Sequence, residues 1–395
     1  MKIGMILDAE YPTDPRVLNE AKSLMNNGNL IYLFCLSYSK KFIKNENIDG
    51  INIQRFYCSW ITYKLSALAY TFPFYKWIMS KKIKSFIEKN NLDILHIHDL
   101  QIASSVYSAN SYFKMNTVLD LHENRPEIMK FYKHVNTFFG KLLIYPSLWK
   151  KAEEKYSKMA NNIVVVTELA KDELVKRVKI HSDKIIVFPN SVSRSFYLKS
   201  EINNKILNQY NDSFVMLYLG NTSKRRGLDL VLKSVNSIIK SIPNFKFVIV
   251  GSSSYDNNLY KIINKLNISK YVDFLGWKDQ NLFPSFIKSA DIAVSPLENN
   301  IHHSTTYANK IFQYISFGCP IIGSDVKAQK ELIEKYKLGL IFKSGDFEDF
   351  IKKTIKIYSD KILREQLKKN CLNAIEKHLN NEIVSKDLVN FYNEK

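Results

Sequence analysis

Short apolar runs alternate with longer amphipathic segments along most of the chain. The runs have the length of strands and are rich in Ile and Val, and helical stretches such as 15–25, 228–239 and 309–317 lie between them. Repeated alternation of buried strands with helices predicts doubly wound parallel α/β sheets. The predicted strands are 2–7, 30–36, 51–56, 94–97, 117–121, 163–166, 184–188, 214–219, 246–250, 272–275, 292–294, 320–322 and 338–341.

The series of strands pauses over a polar stretch at 191–211, and a buried strand restarts it at 214. We place the domain linker in this stretch, which predicts domains at 1–195 and 196–378. A chain of 395 residues suits two domains of this size. The chain ends in predicted helical segments at 346–359, 362–378 and 382–394.

Charge narrows the choice of partners. The chain has 57 Lys and Arg against 38 Asp and Glu, a net charge of +19. Such an excess favours an anionic partner, which leaves nucleic acid, an anionic membrane surface and phosphorylated ligands as candidates. No nucleic-acid-binding motif is recognised, so we expect no nucleic acid partner.

The four cysteines, Cys35, Cys58, Cys319 and Cys371, are scattered and form no C-x-x-C pair. They predict neither a disulfide framework nor a zinc site, and a reducing compartment is the simplest interpretation. His96 and His98 have the i,i+2 spacing of metal ligands. Since no third ligand stands near them in the sequence, structural roles are favoured over metal binding.

No apolar stretch approaches the about 20 residues that span a bilayer, and the N-terminus does not read as a signal peptide. Two segments, 60–84 and 131–151, combine several aromatic residues with lysines. Surfaces of this kind can lie in an anionic interface; packing in the core or against a partner subunit is the alternative. We therefore expect a cytoplasmic protein, peripheral on the inner face of the cell membrane.

The phosphate-binding motifs of common nucleotide enzymes are absent. The chain contains no G-x-G-x-x-G, no G-x-x-x-x-G-K-[ST] and no Asp-x-Asp pair. We therefore expect no cofactor and no metal, and any phosphate must be held by side-chain cations and helix N-termini.

One turn of the second domain is suited to that task. The strand 214–219 runs into Gly220, and three consecutive cations, Lys224, Arg225 and Arg226, precede Gly227 and the next helix. A diphosphate fits such a turn, although a solvated basic turn is the simpler alternative. The strand at 291–296 and the segment 307–325 would bring a further helix to the same carboxyl edge of the sheet.

Several of these segments together resemble the retaining GT-B glycosyltransferases of the large family 4 group. The resemblance covers nearly the whole chain, and it rests on the order and spacing of motifs that are individually weak. They are YPTDPRVLNEA (11–21), HIHD (96–99), DLHE (120–123), PNSV (189–192), GNTSKRRG (220–227), FLGW (274–277) and KIFQYISFGCP (310–320).

The resemblance implies two doubly wound Rossmann-like domains that face each other across a cleft, with a segment at 379–395 that packs back on the first domain. The acceptor would dock on the first domain near Tyr11, Asp14 and Arg16. His122 would lie beside the donor sugar as a catalytic residue.

The donor would bind to the second domain. Arg226 stands where the family has its diphosphate-binding lysine and is the second catalytic candidate. Asn221 replaces the family's other cation, and the family's Glu-x7-Glu motif maps onto Thr305 and Gln313. The further donor-binding residues implied are Gly220, Lys224, Arg225, Trp277, Tyr307, Ala308, Asn309 and Lys310.

These expectations describe a hexosyl or related glycosyltransferase, which moves a sugar from a nucleotide-sugar, such as a UDP-sugar, to a glycan or lipid-linked acceptor. The resemblance implies retention at the anomeric carbon and a role in bacterial surface polysaccharide or glycolipid synthesis. The absent glutamates motivate the alternative of a non-catalytic subunit that partners another glycosyltransferase. A nucleic-acid-binding protein and a GT-B sugar epimerase are the lesser alternatives.

Overall fold

The computed structural model describes residues 1–394. The chain folds as two compact units, one of Met1–Pro189 together with residues 385–394, and one of Asn190–Val384. Each unit is built on a sheet with helices packed against it.

The first unit contains an eight-stranded sheet in the order β3-β4-β2-β1-β5-β6-β7-β8. All neighbouring pairs are parallel except β3 and β4, which are antiparallel. The strands are β1 (Lys2–Leu7), β2 (Leu30–Ser37), β3 (Asn45–Ile48), β4 (Ile51–Tyr57), β5 (Ile94–His98), β6 (Asn116–Leu121), β7 (Asn162–Val165) and β8 (Ile185–Val187). The helices before the first boundary are α1 (Pro15–Met25), α2 (Trp60–Ser66), α3 (Phe74–Asn90), α4 (Leu100–Asn110), α5 (Arg125–Ile128), α6 (Phe138–Leu143), α7 (Pro146–Met159) and α8 (Glu168–Val178).

The second unit contains a six-stranded, wholly parallel sheet in the order β11-β10-β9-β12-β13-β14. Its strands are β9 (Phe214–Leu219), β10 (Phe245–Val250), β11 (Val272–Gly276), β12 (Ile292–Ser295), β13 (Ile321–Ser324) and β14 (Gly339–Phe342). Its helices are α9 (Arg194–Leu198), α10 (Asn204–Gln209), α11 (Leu228–Ile238), α12 (Asp256–Lys265), α13 (Phe283–Lys288), α14 (Ile301–Thr305), α15 (Lys310–Ser316), α16 (Lys327–Tyr336), α17 (Phe347–Ser359), α18 (Lys361–Ala374) and α19 (Asn381–Val384); α20 (Lys386–Asn393) follows in the first unit.

The predicted doubly wound parallel sheets are confirmed, and each predicted strand is present. Strands covered by helices on both faces are buried throughout, as all six residues of β9 are, so they read as continuous apolar runs. The apolar pattern of the sequence does not predict β3, because Asn45–Ile48 is a polar edge strand whose residues alternate only between exposed and half-buried.

The strand order creates a switch point in each sheet, where successive connections leave in opposite directions. In the first sheet it lies between β1 and β5, and in the second between β9 and β12. Ligands of doubly wound sheets bind outside the carboxyl ends of the strands at such points. The loops that follow β9 and β12 are therefore the natural place to look for a site in the second unit.

The unit boundaries lie after Pro189 and Val384 and differ from the predicted ones at 195 and 378. The reason is that residues just after the first boundary form hydrogen bonds with residues just before the second. The Asn381 amide donates to the Val192 carbonyl over 2.8 Å, and the Arg194 amide donates to Glu382 over 3.0 Å. The polar stretch predicted as a linker also contains α9 and α10, so it belongs to the second unit.

The last segment was predicted as one helix at 382–394, but Ser385 separates α19 from α20. The final helix packs against α1 and β8 of the first unit. Its Tyr392 is 2% exposed, and the Tyr392 hydroxyl lies 2.7 Å from Nδ1 of His96. One buried aromatic side chain thus joins the chain end to the centre of the first sheet.

We expect Tyr392→Ala to lower the free energy of unfolding of the first unit by about 3–5 kcal/mol, because it removes a buried ring. Tyr392→Phe removes only the hydroxyl contact with His96 and should cost about 1 kcal/mol. Urea unfolding followed by tryptophan fluorescence measures both, with the exposed neighbour substitution Asn393→Ala as the control. Equal stability of Tyr392→Ala and wild type would contradict this role of the last helix.

Candidate active site

Glycines allow close packing of the backbone at the carboxyl edge of the second sheet. Gly220, directly after β9, has φ of 107°, and Gly227 has φ of 75°. A Cβ on Gly227 would lie 1.8 Å from the Pro296 carbonyl oxygen, and one on Gly251 would lie 1.9 Å from the Gly220 carbonyl oxygen. The loops after β9, β10 and β12 therefore approach each other more closely than any side chain would allow.

The cationic turn lies within this packed edge. Lys224–Arg226 form a single 3₁₀ turn between β9 and α11. Asn221 accepts a hydrogen bond from the Ser223 amide over 3.0 Å, and its own carbonyl accepts one from the Tyr218 hydroxyl over 2.5 Å. The Glu298 amide donates to the Arg225 carbonyl over 3.1 Å, which joins the turn to the loop that follows β12.

Lys310, the first residue of α15, reaches the same place from the other side. It is 8% exposed, and its Nζ lies 3.4 Å from the centre of the Tyr218 ring and 3.7 Å from the position of a Cβ on Gly220. Nζ has no hydrogen-bond partner within the protein. Burial, together with Arg226 and Arg225, lowers the pKa of Lys310 well below its ordinary value.

The two arginines carry the rest of the charge. Nε of Arg226 is buried and has no hydrogen-bond partner, whereas Nη1 of Arg225 lies 2.9 Å from Nε2 of His303. In the part of the chain that the structure describes, no carboxylate forms an ion pair with Arg226 or Lys310. Because Arg226 and Lys310 have no carboxylate partner among the described residues, this edge of the sheet is a candidate site for an anion.

The structure brings six of the implied donor residues to this edge: Gly220, Asn221, Lys224, Arg225, Arg226 and Lys310. Trp277 follows the edge strand β11, two strands away from β9, and is 71% exposed. Thr305 bonds within its own helix to the Ile301 carbonyl over 3.0 Å, and Ala308 is buried. Tyr307 packs against Phe312, Asn309 is exposed, and Gln313 is half-buried on α15.

His303 is a residue of this site that the sequence analysis assigned to a variable loop. It lies in α14, is 1% exposed and contacts Arg225. The two residues are 78 positions apart in the sequence, so no local spacing predicts their contact. Only the pairing of β9 with β12 brings their loops together.

The first unit contains the other predicted residues in a charge-balanced network. Arg16 is 5% exposed, and its guanidinium contacts Asp120 over 2.5 Å and 2.9 Å, Glu20 over 3.0 Å and the Phe188 carbonyl over 2.7 Å. Burial alone would raise the pKa of Asp120, but Arg16 and His122 hold it well below its ordinary value. A side chain with these contacts has a structural role here.

His122 belongs to the same network and is the partly exposed member of it. Its Nε2 lies 2.8 Å from Asp120, and its side chain is 15% exposed. Burial opposes the charged imidazolium, but Asp120 outweighs burial and raises the pKa of His122 to about 9. Of the predicted acceptor residues, Tyr11 is buried, and Asp14 caps α1 by accepting from the Arg16 amide over 2.9 Å.

The expectation that His96 and His98 lack further ligand candidates was wrong. Glu20 and Asp120 come from α1 and β6, and one ligand atom of each of the four residues lies within 4.8 Å of the others. The contact is invisible in the sequence, because parallel strand pairing creates it. Arg16 already supplies a positive charge to both carboxylates, and Tyr392 occupies Nδ1 of His96.

Two family descriptions match the chain, one for each unit. "Glycosyltransferase Family 4" matches residues 15–196, and "Glycosyl transferases group 1" matches residues 199–373. The chain therefore belongs to the glycosyltransferases, with a family 4 domain followed by a group 1 domain. The glycosyltransferase class predicted from the sequence is confirmed at this level.

Individual relatives are distant. An Escherichia coli UDP-Gal:alpha-D-GlcNAc-diphosphoundecaprenol alpha-1,3-galactosyltransferase is 26% identical over 58% of this chain and 59% of its own length. The alpha-monoglucosyldiacylglycerol synthase of Acholeplasma laidlawii is 22% identical over 94% of this chain and 91% of its own. For four of the curated relatives the chain matches less than two thirds of their length, at 59%, 62%, 44% and 43%.

Solved structures confirm the fold. The sucrose-phosphate synthase of Thermosynechococcus elongatus superimposes with a TM-score of 0.81 at 14% identity, over 100% of this chain and 98% of that one. Together with the two family domains, this likeness confirms the predicted GT-B fold of two Rossmann-like units.

We expect Arg16→Leu to lower the free energy of unfolding by about 3–5 kcal/mol, because it leaves Asp120 and Glu20 buried without their cation. Lys22→Ala on the same helix is the control. Lys22 pairs with Asp49 at an exposed position, so its loss should cost less than about 1 kcal/mol. Chemical denaturation measures both, and similar effects of the two substitutions would contradict the network's structural role.

Proposed function

We propose that the chain transfers a sugar from a nucleotide-sugar to an acceptor, and that the loops after β9 and β12 bind the donor diphosphate. One observation carries the proposal. Arg225, Arg226 and Lys310 meet at the switch point of the second sheet, and neither Arg226 nor Lys310 has a carboxylate partner in residues 1–394. A diphosphate supplies the negative charge that these side chains lack.

The same cations support the chemistry. When the bond between the anomeric carbon and the diphosphate oxygen breaks, negative charge grows on the leaving oxygen. Prepositioned cations in a site of low polarity stabilise that charge as it develops. Because these side chains supply the positive charge that a metal ion would otherwise supply, we propose that the reaction does not depend on a metal.

The acceptor hydroxyl oxygen forms the new bond to the anomeric carbon, and its proton passes to an oxygen of the departing diphosphate. We propose retention at that carbon and a role for the charged His122 as a donor of hydrogen bonds to the sugar. Gln313 stands in place of a glutamate and can donate or accept a hydrogen bond with ribose hydroxyls.

The relatives support the substrate classes. The E. coli relative takes UDP-Gal as donor and a diphosphoundecaprenol-linked sugar as acceptor, and the Acholeplasma relative makes a glucosylated diacylglycerol. We therefore propose a UDP-sugar donor and a glycan or lipid-linked acceptor, in the synthesis of a surface polysaccharide or glycolipid.

A thermal-shift screen against UDP, GDP, ADP and their sugars, with and without EDTA, tests the donor site, because a ligand of the folded state raises the unfolding midpoint. We expect a shift with UDP that Arg226→Ala abolishes, together with most transfer activity. Lys233→Ala, at an exposed lysine on α11, is the charge-matched control and should keep the shift.

Without nucleotide, Lys310→Met should raise the free energy of unfolding by about 1 kcal/mol, because it removes a buried amine that has no hydrogen-bond partner, and it should abolish the midpoint shift with UDP. No shift with any nucleotide would refute the donor site. Binding of nucleotide without hydrolysis or transfer would instead favour a non-catalytic subunit.

We also propose that the first unit lies on an anionic membrane surface. None of the helices in the described residues is long and apolar enough to cross a bilayer. The unit nevertheless exposes large apolar side chains on α2 and α6, with Trp60 at 72%, Phe138 at 80% and Phe139 at 70%. The two segments meet where the Thr71 hydroxyl donates to the Leu143 carbonyl over 2.8 Å.

Five lysines accompany these side chains in the two segments, as expected for an interface with anionic lipid. They are at positions 64, 76, 81, 82 and 141.

The double substitution Phe138→Ser/Phe139→Ser should reduce co-sedimentation with vesicles of anionic phospholipid severalfold. Each aromatic ring that enters the lipid contributes to the free energy of membrane binding. Ile362→Ser, which removes an 86% exposed apolar residue of the second unit, is the control. Binding should weaken as salt is raised. Equal retention of the double variant and wild type would contradict this surface.

A further inference from the structure

His303 is a buried imidazole that contacts Arg225, one of the cations of the donor site. It lies on α14, where the Asn300 side chain caps the helix by accepting from the His303 amide over 2.9 Å. Nδ1 of the ring lies 2.8 Å from the Glu298 carbonyl oxygen, and Nε2 lies 2.9 Å from Nη1 of Arg225. Both ring nitrogens therefore lie within hydrogen-bond distance of groups whose donor or acceptor character is fixed.

Those partners determine the tautomer. Nδ1 alone leaves the tautomer open, because the Glu298 carbonyl oxygen only accepts, whereas the Asn300 side-chain nitrogen, also 2.9 Å from Nδ1, only donates. Nε2 decides it. The Arg225 guanidinium only donates, so Nε2 is the lone pair that accepts, and in a neutral ring Nδ1 carries the hydrogen and donates it to the Glu298 carbonyl oxygen. Burial and the nearby Arg226, Arg225 and Lys310 lower the pKa of His303 to about 3, which agrees with a neutral ring.

We propose that His303 is a positioning residue for the donor diphosphate, which holds the Arg225 guanidinium in place through an uncharged acceptor. The inference rests on the proposed function. A carboxylate at this position would hold the guanidinium equally well, but its negative charge would oppose the diphosphate at close range. A neutral acceptor orders Arg225 without placing a negative charge of its own beside the ligand.

The charge pattern of the site supports this assignment. Arg16 is anchored by the carboxylate of Asp120, and Arg177 by that of Glu173. At the donor site, the imidazole that accepts from Arg225 is neutral. Such an acceptor adds no negative charge to a site that must bind an anion.

Calorimetric titration with UDP and with inorganic diphosphate tests the role, using His303→Ala, His303→Gln and His303→Glu. We expect His303→Ala to weaken both ligands about tenfold, which corresponds to one lost hydrogen bond of about 1.4 kcal/mol. His303→Gln offers a neutral amide oxygen and should stay within about threefold of wild type. His303→Glu should bind more weakly than His303→Ala, because of its charge.

A double-mutant cycle with Arg225→Ala separates positioning from a general structural effect. If His303 acts through Arg225, adding His303→Ala to Arg225→Ala should change the dissociation constant by less than about twofold. Thr306→Val is the folding control, because Thr306 follows the end of α14 and its hydroxyl donates to the His302 carbonyl over 2.7 Å. This variant should lower the unfolding midpoint yet keep the affinity for UDP.

The outcomes distinguish this role from the proposed function. A wild-type protein that binds neither UDP nor diphosphate overturns the donor site, and the role of His303 with it. Binding by wild type that His303→Ala leaves unchanged overturns only the role of His303. A full tenfold loss in the Arg225→Ala background also overturns it, because His303 would then act without Arg225.

Discussion

The mutual repulsion of Arg225, Arg226 and Lys310 is the constraint around which the proposed donor site is built. Like charges held close together in a poorly solvated place are unfavourable, and the lowered pKa of Lys310 reflects that cost. The fold holds them there through backbone geometry. Gly227 and Gly251 allow contacts that a Cβ would block, so the loops after β9, β10 and β12 pack closely together at this edge. A site ordered in this way needs little rearrangement when an anion binds.

The two units treat buried charge in opposite ways. In the first unit, Arg16 is surrounded by Asp120 and Glu20, and His122 adds a second cation beside Asp120. Each of these charges lies beside an opposite charge, as expected for a structural network. In the second unit, Arg225 is held by a neutral histidine and Lys310 lies over an aromatic ring, which supports the proposal that an anionic ligand completes the site. The contrast distinguishes a structural network from a binding site more clearly than residue type does.

The predicted motifs differ in how well the sequence located their chemistry. The Lys224–Arg226 turn and Lys310 were both predicted for the donor site, and both lie at the switch point. The end of an apolar run and the glycine that follows it mark such a position in the local sequence. His303 was assigned to a loop, since a short helix with two histidines has no periodic signal. The carboxylates beside His96 and His98 were missed because they come from α1 and β6.

The sequence by itself determined the alternation of strands and helices, the two-unit organisation and the cationic turn, because period, length and glycine placement are local properties of the chain. It could not determine which charges are balanced. Whether Arg16 faces a carboxylate or Arg225 faces an imidazole depends on residues about a hundred positions away, which strand pairing brings into contact. The tertiary structure alone decided this, since electrostatic energy depends on distance and burial in space rather than on separation along the chain.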